Sequence, residues 1–177
     1  AISAKFALRI DHRHLFNPAN LGAIIAASLL PGAWISNGQW GQEGLLALWF
    51  VMLGSWVALR SRRLDSGLFF LACWALLLIA RALWLGLDAA VVQHQLTNGA
   101  LLLFAFFMIT DPMTSPTRTA PRLGHAAAVA LGAFAWQYGL YHSNGPLIAL
   151  FALAPLIVVL ERKWPGVPMS WPGKIPR

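Results

Sequence analysis

The sequence predicts an all-α integral membrane protein, and its composition and charge placement are the observations that predict it. Of the 177 residues, 58% are hydrophobic, 11% are charged and nine are Trp. A soluble domain of this length rarely stays in solution with so little charge. The net charge of +7 would suit a nucleic-acid-binding protein, but the basic residues lie in the connectors between apolar segments. We therefore exclude a soluble nucleic-acid-binding protein.

The hydrophobic pattern divides the chain into about six transmembrane segments. They cover residues 17–30, 43–59, 67–85, 98–110, 125–142 and 144–160. A membrane domain therefore spans 17–160, between an N-terminal segment, 1–16, and a C-terminal tail, 161–177, rich in Pro, Trp and basic residues. The chain begins AISAKFALRI, with no Met and no cleavable signal pattern, so we expect a trimmed chain or one part of a longer protein.

Basic residues mark alternate connectors. Those that precede the first segment or follow the second, fourth or sixth are Lys5, Arg9, Arg13, Arg60, Arg62, Arg63, Arg118, Arg122, Arg162, Lys163, Lys174 and Arg177. The one remaining basic residue, Arg81, lies inside the third segment, and we expect it to extend toward the outer surface. Connectors 31–42 and 86–97 contain no Lys or Arg. The positive-inside rule therefore predicts that both termini are cytoplasmic.

The first segment has the signals of a short helix with a defined start and end. Asn17 is a good N-cap, and Pro18 follows it at the first helical position, where Pro costs nothing. The sequence from Leu30 to Gly32, Leu-Pro-Gly, ends the segment. Asn20 lies one turn into the helix, where an unpaired amide is costly, so it should face a partner or a cavity.

The fourth segment is too short to cross a membrane as one upright helix. Thr97 or Asn98 caps it, Gly99 permits close approach of another backbone, and the Thr110-Asp111-Pro112 turn ends it. The apolar run between them falls short of the roughly 20 residues that a spanning helix needs. Broken helices inside membranes mark ligand, ion or cofactor sites, because their free backbone groups need partners.

The order of segment lengths is short, long, long, and this order occurs twice. Two three-segment halves with an odd number of crossings each predict an inverted repeat, in which broken half-helices meet near the middle of the bilayer. Six unrelated helices, two of them short and tilted, explain the lengths nearly as well.

We predict a cofactor-binding site around the two short helices. Its residues are Asn17, Asn20, Thr97, Asn98, Gly99, Thr110 and Asp111. The start of the fourth segment offers free N–H groups to a phosphate or to the polar edge of a flavin. Asp111 has two interpretations, an ion-pathway carboxylate or a helix stop that caps backbone amides.

Other chemistry has little support in the sequence. Cys73 is the single cysteine, so the chain alone builds neither a disulfide nor a Cys-based metal site. The five His residues show no metal-ligand spacing, and there is no glycine-rich nucleotide loop and no paired catalytic carboxylates. We predict no catalytic residue, no metal ligand and no independent enzymatic activity.

Two sequence runs resemble a known family. The A-F-F-M-x-T-D-P-x-T-S-P run, Ala105 to Pro116, and the H-L-F-N-P-A-N-L-G run, His14 to Gly22, are similar to the RnfD proteins of Rnf electron-transport complexes and the NqrB proteins of sodium-pumping NADH:quinone reductases. The resemblance implies a shortened member of this RnfD/NqrB family: a multi-pass protein of the bacterial inner membrane, on an inverted-repeat scaffold. It also implies membrane and redox partner subunits and electron transport coupled to ion translocation.

The resemblance also implies a flavin, whose attachment differs here. Larger members attach FMN covalently to a threonine in an S-G-A-T motif, which this chain lacks, since Leu101 stands where the acceptor would be. We therefore expect noncovalent FMN or another flavin, or a quinone, beside the aromatic side chains of Phe104, Phe106 and Phe107. The alternative is a redox-inactive channel, transporter-like or scaffold subunit.

Overall fold

The computed structural model describes residues 7–10, 13–35 and 44–166, and these are mostly helical. The helices are α1 (Pro18–Leu29), α2 (Gly44–Arg60), α3 (Leu64–Leu85), α4 (Ala89–Leu96), α5 (Gly99–Leu103), α6 (Thr119–Phe134), α7 (Gly145–Ala152) and α8 (Ala154–Lys163). Two π-helical turns, π1 (Phe104–Met108) and π2 (Ala135–Gly139), continue α5 and α6. The predicted tail beyond 166 and the predicted connector residues 36–43 lie outside the described residues.

A short antiparallel hairpin precedes α1 in the predicted cytoplasmic segment. Strand β1 (Arg9–Ile10) pairs with β2 (Arg13–His14), with Arg9 opposite His14. The start of α1 then follows the prediction: the Oδ1 atom of Asn17 accepts hydrogen bonds from the backbone N–H groups of Ala19 and Asn20, at 3.0 and 3.2 Å. The helix ends at Leu29, because the residue before Pro31 adopts an extended backbone.

The predicted connector 86–97 is largely helical, which corrects the sequence-based assignment. Its residues Ala89–Leu96 form α4, whose first N–H groups are capped by Asp88 through a 2.7 Å hydrogen bond to the N–H of Ala90. α4 meets the α5–π1 helix at an angle of 48°. α4 and α5–π1 together are therefore long and apolar enough for one membrane span, which is broken at Thr97 and Asn98.

The sixth predicted segment is also broken. α7 and α8 meet at an angle of 45°, with Leu153 between them. Pro155 lies in the first turn of α8, where its missing N–H and its ring are tolerated, whereas the same residue inside a continuous helix would remove one hydrogen bond and clash with the preceding turn. Because Pro155 is tolerated only near the start of a helix, the chain breaks at Leu153 and a new helix begins at Ala154.

Within the described residues, α3 is long and apolar enough by itself to cross a membrane. The two bent pairs, α4 with α5–π1 and α7 with α8, raise the number of candidate spans to three if each pair is one span. α1 and the Val51–Arg60 part of α2 are apolar but shorter. This is a helical membrane protein, and the count of six spans and the inverted repeat stay predictions.

The buried core lies where α3 packs against α6 and where α6 in turn packs against α7. Its α3 side is formed by Phe70, Trp74 and Leu78, which share one face of the helix at four-residue spacing. The facing side of α6 consists mainly of Ala126, Val129, Ala130 and Ala133. Small side chains on α6 let the two helices approach closely, which is how helices commonly pack in membranes.

Candidate functional site

A cavity of about 260 Å³, here called the central cavity, lies among α1, α3, α5 and α7 and the two π-helical turns. Its polar lining residues are Gln95, Asn98, Gln137, Tyr138 and Asn144. Its larger apolar lining residues are Ile35, Trp74, Leu101, Leu103, Phe104, Met108 and Leu147. An apolar cavity with a few polar groups is the usual form of a small-molecule site.

Both π-helical turns contribute to the wall of the central cavity. In π1 the N–H of Ile109 bonds the carbonyl of Phe104 at 3.1 Å, and in π2 the N–H of Leu140 bonds the carbonyl of Ala135 at 3.0 Å. Each turn therefore contains one residue more than an α-helical turn, which rotates the following side chains to a new face. π1 supplies Phe104 and Met108 to the cavity, and π2 supplies Gln137 and Tyr138.

The aromatic side of the central cavity is a packed group of rings. The ring centroids of Trp74 and Tyr138 are 6.2 Å apart. Those of Phe104 and Phe70 are 4.9 Å apart. Trp74 and Phe104 are 3% and 2% exposed. Because their neighbours hold these rings in place, the wall that they form is preorganised rather than assembled by a ligand.

The guanidinium of Arg81 lies on the Tyr138 ring, 4.5 Å from its centroid. The Nε2 atom of Gln137 also donates a hydrogen bond to the hydroxyl of Tyr138 at 3.3 Å. Arg81 is predicted to extend toward the outer surface, and this contact gives its guanidinium a specific aromatic partner. Tyr138 is therefore held from two sides beside the central cavity.

Of the three residues predicted at the start of the fourth segment, Asn98 lines the central cavity. Its Oδ1 atom caps α5 by accepting a 2.8 Å hydrogen bond from the N–H of Ala100. Thr97 is exposed, and its hydroxyl donates to the carbonyl of Gln93 at 3.0 Å at the end of α4. Gly99 is buried in the first turn of α5 but does not line the cavity.

The other four predicted residues lie together at a different place. Asn17 donates from Nδ2 to Oδ2 of Asp111 at 3.1 Å, and Asp111 also accepts from the N–H of Met113 at 2.9 Å. The hydroxyl of Thr110 donates to the carbonyl of Phe106 at 2.6 Å. Asp111 thus caps the turn that ends π1, as the helix-stop interpretation expects.

Asn20 connects this polar group to the central cavity. Its Nδ2 atom donates to the carbonyl of Leu147, a cavity-lining residue, at 3.1 Å. Its Oδ1 atom is buried and has no hydrogen-bond partner among the described residues. Ala23, one turn further along α1, lines the cavity directly. Both short helices of the predicted site therefore border one cavity.

Residues 110–117, here called the 110–117 loop, are held by two arginines that sequence reasoning assigned only to topology. Arg63 donates from Nη1 to the carbonyl of Pro116 at 2.8 Å, and Arg122 donates to the carbonyl of Thr117 at 2.8 Å. Arg122 also pairs with Asp65, to which its Nε donates at 3.1 Å. Burial, with Arg122 and Arg13 nearby, lowers the pKa of Arg63 to about 10, so Arg63 stays charged at neutral pH.

The hairpin and α8 complete this loop support. The N–H of Thr117 donates to Oε2 of Glu161 at 2.9 Å, and the Thr117 hydroxyl bonds the same carboxylate. Arg13 lies 3.4 Å from Glu161 and donates to the carbonyl of Ser115 at 3.3 Å. Residues from three separate basic connectors therefore meet at one end of the molecule. The sequence signal for this meeting is that Arg13, Arg63 and Arg122 all lie in basic connectors, which the positive-inside rule places on one side of the membrane.

The central cavity fits an uncharged aromatic ring better than a charged group. None of its described lining residues is acidic or basic. Its walls offer ring faces and its rim offers amide and hydroxyl groups, which suits a flavin ring system or a quinone head group. Among the described residues, no group of three or more His, Cys, Asp or Glu side chains is arranged to hold a metal ion.

The chain matches the model of a known protein family. The family model described as the NQR2, RnfD, RnfE family matches residues 28–158, which include α2 to α7 and the 110–117 loop. No curated protein matches the chain significantly.

Proposed function

Because this chain belongs to the NQR2, RnfD, RnfE family, whose members are subunits of multi-subunit membrane complexes, we propose that it relays electrons in an RnfD-like membrane complex. In this proposal it carries a noncovalently bound flavin or a quinone in the central cavity. The observation that carries the proposal is the convergence of π1 and π2 on that cavity, since π-helical turns concentrate at functional sites.

The cavity residues would hold such a ring in a fixed orientation. Trp74 and Phe104 would pack against the ring faces, and Asn98, Gln137 and Tyr138 would hydrogen-bond its polar edge. A bound flavin or quinone supplies the ability to accept and release electrons, which the side chains lack. Arg81 would act through Tyr138, by holding the phenol in place and by placing positive charge near a ring that gains electrons.

The proposal includes the membrane arrangement. Six spans in two inverted halves, both termini in the cytoplasm of a bacterium and other membrane and redox subunits as partners are parts of it. The meeting of Arg13, Arg63 and Arg122 at the 110–117 loop supports a single basic end of the molecule. Coupling of electron transfer to ion translocation belongs to the assembled complex.

The test is an absorbance and fluorescence spectrum of the protein purified with its native partners, recorded before and after denaturation. We expect a flavin or quinone spectrum that is lost from the chain on denaturation. A chromophore that stays attached would contradict noncovalent binding. A preparation without any chromophore would favour the redox-inactive channel, transporter-like or scaffold subunit.

Variants locate the chromophore. Tyr138→Phe removes one hydrogen-bonding group from the cavity and keeps the ring, so we expect bound cofactor to fall about fivefold to tenfold, the size of one lost hydrogen bond. Tyr141→Phe is the matched control, because Tyr141 is 86% exposed and lies outside the cavity. Equal cofactor content in the two variants would place the ligand elsewhere.

A further inference from the structure

A second concave surface lies at the basic end of the molecule, apart from the central cavity. This surface, here called the α6 groove, is an open groove between the first two turns of α6 and one side of α8, and it extends to Trp164 just after α8. Its lining residues include Arg118, Pro121, His125, Leu156, Leu160 and Trp164. Among the described residues, none lines both this groove and the central cavity.

One end of the α6 groove has the features of an anion site. Arg118 occupies the N-cap position of α6, is exposed and makes no side-chain capping bond, so within the described part of the chain no side chain caps the first N–H groups of this 16-residue helix. Those groups and the helix dipole favour a negative charge. Lys163 adds positive charge, since its ammonium lies 4.6 Å from the ring of Trp164.

His125 forms part of the floor of the groove and is an independent sign of a ligand. The residue is 2% exposed, and its Nε2 atom has no partner among the described residues. Its ring hydrogen-bonds the backbone of Leu153, so in the neutral ring the proton lies on Nδ1 and Nε2 is an acceptor. A buried, unpaired acceptor calls for a ligand with an O–H or N–H donor.

The rest of the α6 groove is apolar. Leu156, Leu160 and Pro121 line it, and Trp164, 39% exposed, stands at its edge. A free inorganic anion would leave these surfaces uncovered, whereas a lipid places its acyl chains on them. Basic pockets between membrane helices are known to bind lipid head groups.

We propose that the α6 groove binds phosphatidylglycerol, an anionic phospholipid whose head group carries hydroxyls. The phosphate lies at the first turn of α6 beside Arg118. A glycerol hydroxyl donates to Nε2 of His125, after a small movement of the side chains that cover this atom. The acyl chains follow Leu156 and Leu160. This site is independent of any flavin or quinone in the central cavity.

The experiment is native mass spectrometry of the full-length protein in detergent, with phosphatidylglycerol or phosphatidylcholine added. We expect phosphatidylglycerol to bind in preference, and Arg118→Ala to weaken its binding about fivefold, as one basic residue near a membrane surface typically does. Arg62→Ala is the charge-matched control, because Arg62 is also exposed and lies outside the groove.

A second variant fills the groove without disturbing the fold. Gly124 is exposed, lines the groove, and has open space where a Cβ atom would lie. Gly124→Leu should therefore fold, gain helix propensity and lose phosphatidylglycerol. Gly139→Leu is its control, since Gly139 also has open space and lies outside the groove.

Three outcomes would overturn the proposal. These are equal binding of the two lipids by the unmodified protein, unchanged binding by Gly124→Leu, and displacement of phosphatidylglycerol by inorganic phosphate. The last result would identify a simple anion site. If the purified protein binds phosphatidylglycerol in preference but carries no chromophore, the electron-relay function is contradicted and the lipid site is not.

Discussion

Asn17 and Asp111 are hydrogen-bonded at 3.1 Å although 94 positions separate them in the chain. Asn17 starts α1, and Asp111 forms the turn after π1. The two sequence runs that carry the family resemblance, His14 to Gly22 and Ala105 to Pro116, therefore meet in space. Their polar residues act as one structural unit that joins the two halves of the sequence.

The first prediction concerns this pair. Asn17→Ser keeps a capping side chain and loses the bond to Asp111, so we expect a cost of about 1 kcal/mol. Asn17→Asp also keeps the cap but places two carboxylates together, so its thermal unfolding temperature in detergent should be lower than that of Asn17→Ser. Adding Asp111→Asn to Asn17→Asp should restore part of the loss. Equal unfolding temperatures for the two single variants would contradict the pairing.

The second prediction concerns close approach of helices. A Cβ atom on Gly67 would overlap the carbonyl oxygen of Ala105, so Gly67→Ala must push α3 away from π1. We expect destabilisation of about 1–3 kcal/mol, the usual cost of overpacking. At Gly132 the nearest atom to an added Cβ would be 3.5 Å away, an ordinary contact. Gly132→Ala should thus be neutral or stabilising in the same unfolding assay, and a similar loss in both variants would refute the argument.

The third prediction concerns the 110–117 loop. Arg122→Met leaves Asp65 without its partner and removes the donor to the Thr117 carbonyl. Because the Asp65 side chain is 35% exposed and partly hydrated, we expect a cost of about 2–3 kcal/mol, below that of a fully buried pair. Arg62→Met removes the same charge from an exposed position and should change the unfolding temperature little. A cycle with Asp65→Asn measures the coupling, and a value near zero would show that the pair does not stabilise the loop.

The fourth prediction concerns topology. In a Cys73→Ala background, a cysteine placed at Ser143 should react with a membrane-impermeant maleimide on intact cells. Ser143 lies between the fifth and sixth predicted segments, in a turn without Lys or Arg that the positive-inside rule places on the outer side. A cysteine at Ser61 should react only after the membrane is opened, because it lies in a basic connector. Labelling of Ser61→Cys on intact cells would reverse the predicted orientation.

Local signals predicted the helix ends well. Asn17 caps α1 and Asn98 caps α5, as expected, because a side-chain cap depends on residues within one turn of each other. The α4 helix was missed because its Gln and His residues dilute the hydrophobic pattern, and the break at Leu153 was missed because the apolar run continues through it. In both cases a local pattern gave an incomplete account of a broken helix.

Contacts between distant residues were beyond sequence reasoning. Tyr138 and Gln137 give no local sign of facing Asn98, since helix rotation and the additional residue of each π-helical turn decide which face meets the cavity. Arg63 and Arg122 read as topology signals, and their bonds to the carbonyls of Pro116 and Thr117 depend on how α3 and α6 pack.

The sequence by itself determined the helical membrane class, the family and the capped starts of the two short helices, because composition, motifs and capping are properties of neighbouring residues. The tertiary structure decided that Asn17 and Asp111 pair, that only Asn98 among the predicted helix-start residues faces the central cavity, and that the basic connectors meet at one loop. These features depend on the relative rotation and approach of helices, which arise from packing of side chains far apart in the chain.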